Sequence, residues 1–155
     1  MAEPPAIYEW AGGAEPLERW LNVFYDLVEG DDLLAPLFGG TVGAEHRDHV
    51  AAWWVEVMGG PALDGYESML AHHRGLEITP QQRLRFVTTL SQAVSDDAGL
   101  PADPEFRATV IGYAEWGSRL AVHKSAAAAK VAQHAPMPRW GWGFAPPYVE
   151  GESAD

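Results

Sequence analysis

The sequence predicts an all-α fold. Apolar residues recur at three- and four-residue spacing in four long segments, the signature of amphipathic helices. No stretch alternates polar and apolar residues as a strand would. Thr79-Pro80-Gln81-Gln82 spells a helix start, with a Thr cap, Pro in the first helical position and Gln in the third.

Residues 1–14 are rich in Pro, Gly and Ala and read as irregular. A helix then opens at Glu15-Pro16 and carries one apolar stripe: Leu17, Trp20, Leu21, Phe24, Leu27 and Val28. Gly30-Asp31-Asp32 ends it. "LLAPLFGG" reads as one helical turn followed by a bend at Gly39-Gly40. The next helix spans Ala44 to Met58, with His46, Val50, Trp53, Trp54 and Val57 on related faces; "GGPALDG" stops it. A short helix is expected from Tyr66 to His73, with Gly75 as its terminator. The helix that Thr79 caps buries Leu84, Phe86, Val87, Leu90 and Val94. Asp103-Pro104 opens the last helix. Its inner face is Phe106, Val110, Tyr113, Gly117, Leu120 and Ala121, and it continues toward "SAAAAK". The Pro- and Gly-rich end of the chain is not helical. The expected organisation is an irregular segment 1–14, one domain over 15–127, and a Pro/Gly/Trp-rich tail over 128–155.

Composition narrows the function. The 155-residue chain is long enough for one domain with a real core. Its net charge of −12 repels phosphate backbones and anionic membranes, which argues against nucleic-acid and membrane partners. With no Cys there is no disulfide, thiolate metal site or Cys nucleophile. No basic segment followed by an apolar run opens the chain, and no apolar run reaches the ~18 residues of a membrane span; a cytoplasmic protein is expected. Seven Trp suit a core, an interface or a pocket for a flat ligand equally well.

Six His and Tyr25 are the candidates for chemistry, since the nucleophile elbow, phosphate loop, dinucleotide fingerprint and zinc-protease spacing are all absent. His73 stands at the end of the short helix, with Met69 before it and Leu76 and Ile78 after it. Its ring is either a metal ligand facing an apolar space or a cation at the negative end of a helix. His72 points roughly 100° away. His46 and Val50 lie one turn apart on an apolar face. His46 and His49 are three residues apart and, with His73, form a candidate site for one divalent ion. Tyr25 beside Phe24, and Phe38 at the bend, read as either core or pocket.

Four stretches in this order resemble the group II truncated haemoglobins of bacteria: "FYDLVEGDDLLAPLFGG", "HRDHVAAWWVEVMGGP", "MLAHHRGLEITPQQRLRFV" and "PEFRATVIGYAEWGSRLAV", over roughly residues 15–125. The tail "PMPRWGWG" is similar to that of an actinobacterial branch. The resemblance implies a two-over-two helical sandwich around haem b, with His73 as the proximal iron ligand. It implies Tyr25 and His46 on the distal side, and a cofactor-binding set of His73, Phe38, Val50, Trp54, Met69, His72, Leu76 and Phe86. Many group II members carry Trp where Phe86 falls, so that indole donor is missing here. The implied function is reversible binding of oxygen, carbon monoxide or nitric oxide by a monomer or homodimer. With an electron-donor reductase, the same site suits nitric oxide oxidation or peroxide cleavage with His46 as acid/base. Two other readings stay open: a haem-free globin-like module that uses its Trp-rich tail for contacts, and a helical-bundle metalloenzyme built on His46, His49 and His73.

Overall fold

The computed structural model describes residues 6–62, 72–73, 75–95, 99–126 and 140. Among them run α1 (Ile7–Ala11), α2 (Ala14–Glu29), a 3-10 turn (Ala35–Phe38), α3 (Ala44–Val57), α4 (Pro80–Ser95) and α5 (Pro104–Lys124), with no strand. Helix α2 packs on α3 and on α4, and α4 packs on α5. This is the two-over-two sandwich expected from the sequence.

The stripe of α2 is the keel of the core. Leu17, Trp20, Leu21, Phe24 and Val28 are fully buried. They join Val57 at the end of α3, Leu90 and Val94 of α4, and Phe106 and Val110 of α5 in one cluster. Trp20 meets Trp54 edge-on at 5.0 Å, and its indole N–H donates to the Leu90 carbonyl at 3.3 Å. The start signals act as read. The Thr79 hydroxyl accepts from the Gln82 N–H at 3.1 Å while the Gln82 side chain accepts from the Thr79 N–H at 2.9 Å, a reciprocal capping box. Asp103 caps α5 by accepting from the N–H groups of Glu105 and Phe106.

Three expectations need correction. The segment 1–14 is not wholly irregular, because Ile7–Ala11 is a helix whose Ile7 and Ala11, one turn apart, are both buried. Gly12, at φ 97°, turns the chain out of it, and the Tyr8 N–H donates to the Met58 carbonyl at 2.8 Å. Leu84 is not part of the buried stripe; it is 58% exposed. At about 100° per residue it lies roughly a quarter turn from the face that Val87, Leu90 and Val94 share. Finally, helix α5 stops at Lys124 rather than continuing into "SAAAAK": Ser125 and Ala126 are not helical. The tail contributes to the core: the Trp140 N–H donates to the Val57 carbonyl at 2.9 Å, and its ring meets Tyr113 and Trp116. Tyr66 to Ala71 of the expected short helix lie outside the described residues. His72 and His73 are helical.

Asp31 shapes the wall that precedes α3. Its carboxylate accepts from the N–H groups of Leu33 and Leu34 at 2.9 and 3.0 Å, and from Arg85 of α4 at 2.7 Å. Burial pushes this carboxyl up, but the Arg85 hydrogen bond, the two N–H donors and the Arg85 charge together bring it below its ordinary value. Its contribution to stability is therefore complete above the unfolded-state pKa of ~3.9 and is lost as pH falls through the lower folded value. Arg85 is half exposed, so solvent screens much of the charge attraction. Asp31→Ala is expected to cost about 1 kcal/mol at neutral pH, mostly through the lost cap. Urea denaturation of both proteins at neutral and strongly acid pH checks this, because the gap between them should close in acid.

Candidate functional site

Helix α2 puts Tyr25 at the edge of its buried stripe, flanked by Leu21 and Val28 at i−4 and i+3. The side chain is buried. Its ring is edge-on to Phe24, Phe38 and His46 at 4.9, 5.7 and 5.6 Å. Its hydroxyl lies 3.4 Å from His46 Nε2, a hydrogen bond whose direction follows the imidazole tautomer. Phe38 closes this group, 5.7 Å from the His46 ring.

Arg47 sets the distance between the two helices that carry Tyr25 and His46. From the first turn of α3 it donates to Asp26 at 2.8 Å and to Glu29 at 3.0 Å on α2, and also to the Val42 carbonyl at 2.9 Å. Glu29 in turn accepts from the Val42 N–H at 2.8 Å. The Arg47 guanidinium also sits 5.8 Å from the centre of the Tyr25 ring. The sequence reading passed over Arg47. The signal for it was two acids three residues apart on α2 facing a cation beside His46.

Burial raises the Tyr25 phenol well above its usual value, with the Arg47 charge opposing. Tyr25 is therefore a proton-bearing hydroxyl at every physiological pH. His46 is lowered, first by burial of its ring face and then by the neighbouring His49, His72 and His73. It is neutral at pH 7, with one nitrogen to donate and one to accept.

The chain around His73 is held by the far end of α5. Gly75 and Glu77 donate their N–H groups to the Ser125 carbonyl at 2.9 and 3.1 Å, and Ile78 donates to the Ser125 hydroxyl at 2.9 Å. That hydroxyl donates to the Val122 carbonyl at 2.9 Å. Glu77 takes a left-handed φ of 51° to fit. Ser125 is buried, and its role comes from a pairing 47 residues away in sequence. Ser125→Ala strands the Ile78 N–H and is expected to cost about 1 kcal/mol, read as a lower urea midpoint with unchanged slope.

These elements enclose a cavity of about 610 Å³, inside the roughly 300–1,000 Å³ range of cofactor sites. Tyr25, Phe38, His46, Val50, Trp54, His72, His73, Leu76 and Phe86 all line it. Met69, the remaining member of the expected set, lies outside the described residues. The sequence reading did not assign Leu21, Phe24, Trp53, Tyr113, Gly117 or Arg83 to this wall, yet they line it too. Phe24 and Tyr113 were read as core and in fact serve both the core and the cavity. Although the chain carries a net −12, no Asp or Glu is on this lining among the described residues.

The model of the bacterial-like globin family matches residues 6–115. The chain belongs to that family. This globin is 32% identical over 72 residues to the Group 1 truncated hemoglobin GlbN of Nostoc sp. (strain MUN 8820), a match covering 46% of this chain and 61% of the relative; it thus spans less than two thirds of that relative's length. In structure it is similar to the Group II truncated hemoglobin from Bacillus anthracis, with a TM-score of 0.69, 24% identity, and coverage of 78% of this globin and 93% of that chain. It is also similar to the thermostable hemoglobin of the actinobacterium Thermobifida fusca, with a TM-score of 0.67, 24% identity, and coverage of 76% and 97%. At these identities the structural likeness is one of fold.

Haem is the cofactor the globin family implies, and the residues present fit it. The wall is mostly aliphatic and aromatic, as an apolar macrocycle requires, and the half-buried His73 supplies an imidazole on that wall. The competing metal reading finds no support. Among the described residues no three His, Asp or Glu side chains gather around a common point, although His49 and His72 do meet, ring to ring, at 5.8 Å. Of the tail on which the interaction-module reading relied, only Trp140 is among the described residues, and its ring meets Tyr113 and Trp116. No described helix is long and apolar enough to cross a membrane.

Proposed function

We propose that this globin is a group II truncated haemoglobin of the cytoplasm that holds haem b through His73 and reversibly binds a diatomic ligand beside Tyr25 and His46. The observation that carries the reading is the hydrogen-bonded Tyr25–His46 pair, which shares one apolar cavity with His73. Haem, if held by the His73 imidazole, would supply an iron able to take up a small molecule.

The chain's own residues decide how firmly that molecule is held. Tyr25 keeps its proton, so its hydroxyl is a donor on the residue that lines the cavity beside His46. His46, being neutral, either holds that hydroxyl in place or donates a proton of its own. Phe38, Val50 and Phe86 make the surroundings apolar, which strengthens every donor there. His46 can also take up and return a proton, so nitric oxide oxidation or peroxide cleavage is compatible with the same geometry when a reductase supplies electrons.

Titration of the purified chain with hemin tests the reading. A sharp Soret band that saturates at one haem per chain, and a ferrous form that takes up carbon monoxide, are the expected results. A chain that stays colourless overturns it.

A further inference from the structure

Four aromatic rings run in contact from the cavity wall toward the surface. Trp54 of α3 lines the cavity and meets Tyr113 of α5 edge-on at 4.9 Å. Tyr113 meets Trp116 at 5.9 Å and Trp140 of the tail at 5.3 Å, and these two indoles meet each other at 5.7 Å. Trp54 and Tyr113 are buried, whereas Trp116 and Trp140 are half-buried and stand outside the cavity lining. Trp20 also touches Trp54, but it is fully buried and out of reach of any molecule in solution. Tyr25 has no comparable continuation: its ring neighbours among the described residues are Phe24, Phe38 and His46. A phenyl ring is far harder to oxidise than an indole or a phenol. Tyr113 differs from the indoles in one respect, because its hydroxyl makes no hydrogen bond. A phenol gives up an electron readily only when its proton leaves at the same time, and here the proton has no acceptor. Tyr113 can therefore pass an electron but not keep the vacancy, whereas an indole can lose an electron and hold its N–H proton.

We propose that Trp54, Tyr113, Trp116 and Trp140 form an electron path from the surface to the cavity, through which a phenol-class reductant in solution supplies the electrons for peroxide reduction. The inference rests on the haem reading above. Reduction of one hydrogen peroxide to two waters takes up two electrons and two protons. Each electron leaves an outer indole and moves inward across Tyr113 and Trp54. The vacancy rests on Trp116 or Trp140, where solvent reaches the ring. A phenol at the surface refills it, releases its own proton to water and departs as a phenoxyl radical, so two phenols balance one peroxide. The path also gives the docked tail a function. The Trp140 backbone N–H bonded to the Val57 carbonyl holds an indole against Tyr113 and Trp116 that the five helices do not themselves supply.

Mixing the hemin-loaded ferric protein with hydrogen peroxide and a nitroso spin trap, followed by peptide mass mapping, locates the vacancy. The native protein is expected to carry the trap on Trp116 or Trp140. Rapid-freeze electron paramagnetic resonance should show a radical signal that changes when Trp, and not Tyr, is deuterated. Tyr113→Phe should leave the trap on the same indoles, because the phenol proton takes no part. In the Trp116→Phe/Trp140→Phe double variant the outer adducts should vanish and peroxide-driven oxidation of guaiacol should fall several-fold, with the carbon monoxide spectrum unchanged. Should the double variant fail to hold haem, the adduct map of the native protein decides alone. Adducts confined to Tyr25 or to other residues, or guaiacol oxidation as fast in the double variant as in the native protein, overturn the electron path and leave haem binding standing. A chain that takes up no hemin overturns the haem reading, and the path with it.

Discussion

His73→Ala is expected to abolish stoichiometric haem uptake while leaving the helical fold in place. The imidazole is half-buried at the cavity, and the backbone after it is tied to Ser125. Removing the ring deletes a ligand while those backbone ties stay. The apolar wall would still attract the macrocycle, but loosely and without a defined axial bond, so the absorption spectrum should lose its sharp bands. Hemin titration followed by absorbance, with far-UV circular dichroism as the control for folding, makes the measurement. Exogenous imidazole should restore part of the spectrum in His73→Gly, where the vacated space can admit it. A variant that keeps one haem per chain with an unchanged ferrous spectrum would defeat the proximal assignment.

Tyr25→Phe is expected to speed oxygen dissociation several-fold. Phe keeps the ring contacts with Phe24, Phe38 and His46 and loses only the hydroxyl. A neutral donor contributes about 0.5–1.5 kcal/mol net, and ~1.4 kcal/mol corresponds to tenfold. His46→Leu should act in the same direction with a smaller effect, because His46 is more open to solvent and part of its contribution is to orient Tyr25. The two side chains are bonded to each other, so their effects should not add; the double mutant measures the coupling. Stopped-flow displacement of oxygen by carbon monoxide gives all four rates. An unchanged rate in Tyr25→Phe removes its hydroxyl from ligand retention.

Much of the fold was legible because its signals are local. The α2 stripe, the Thr79–Gln82 capping box and the Asp103 cap each depend on residues within one or two turns. Helix α1 was missed because five residues among Pro and Gly leave too short a pattern to read; what holds it is Ile7 in the core and a hydrogen bond to Met58. Leu84 was misplaced because an apolar residue on the shoulder of a stripe looks like a member of it. The docking of Trp140 was not readable as geometry, since a Pro/Gly-rich tail has no period.

For the cavity, the residue types and their facing were available in advance: two histidines at a helix end, a tyrosine beside a stripe, and a histidine one turn from a valine. These follow from helical periodicity, which is a property of neighbours in the chain. The 3.4 Å contact between Tyr25 and His46, the downward shift of the His46 pKa, the Arg47 tie and the Ser125 anchor were decided by tertiary structure alone. Each depends on which distant surfaces meet and how much water is driven from between them. Desolvation and cross-chain distance exist only once the helices are packed.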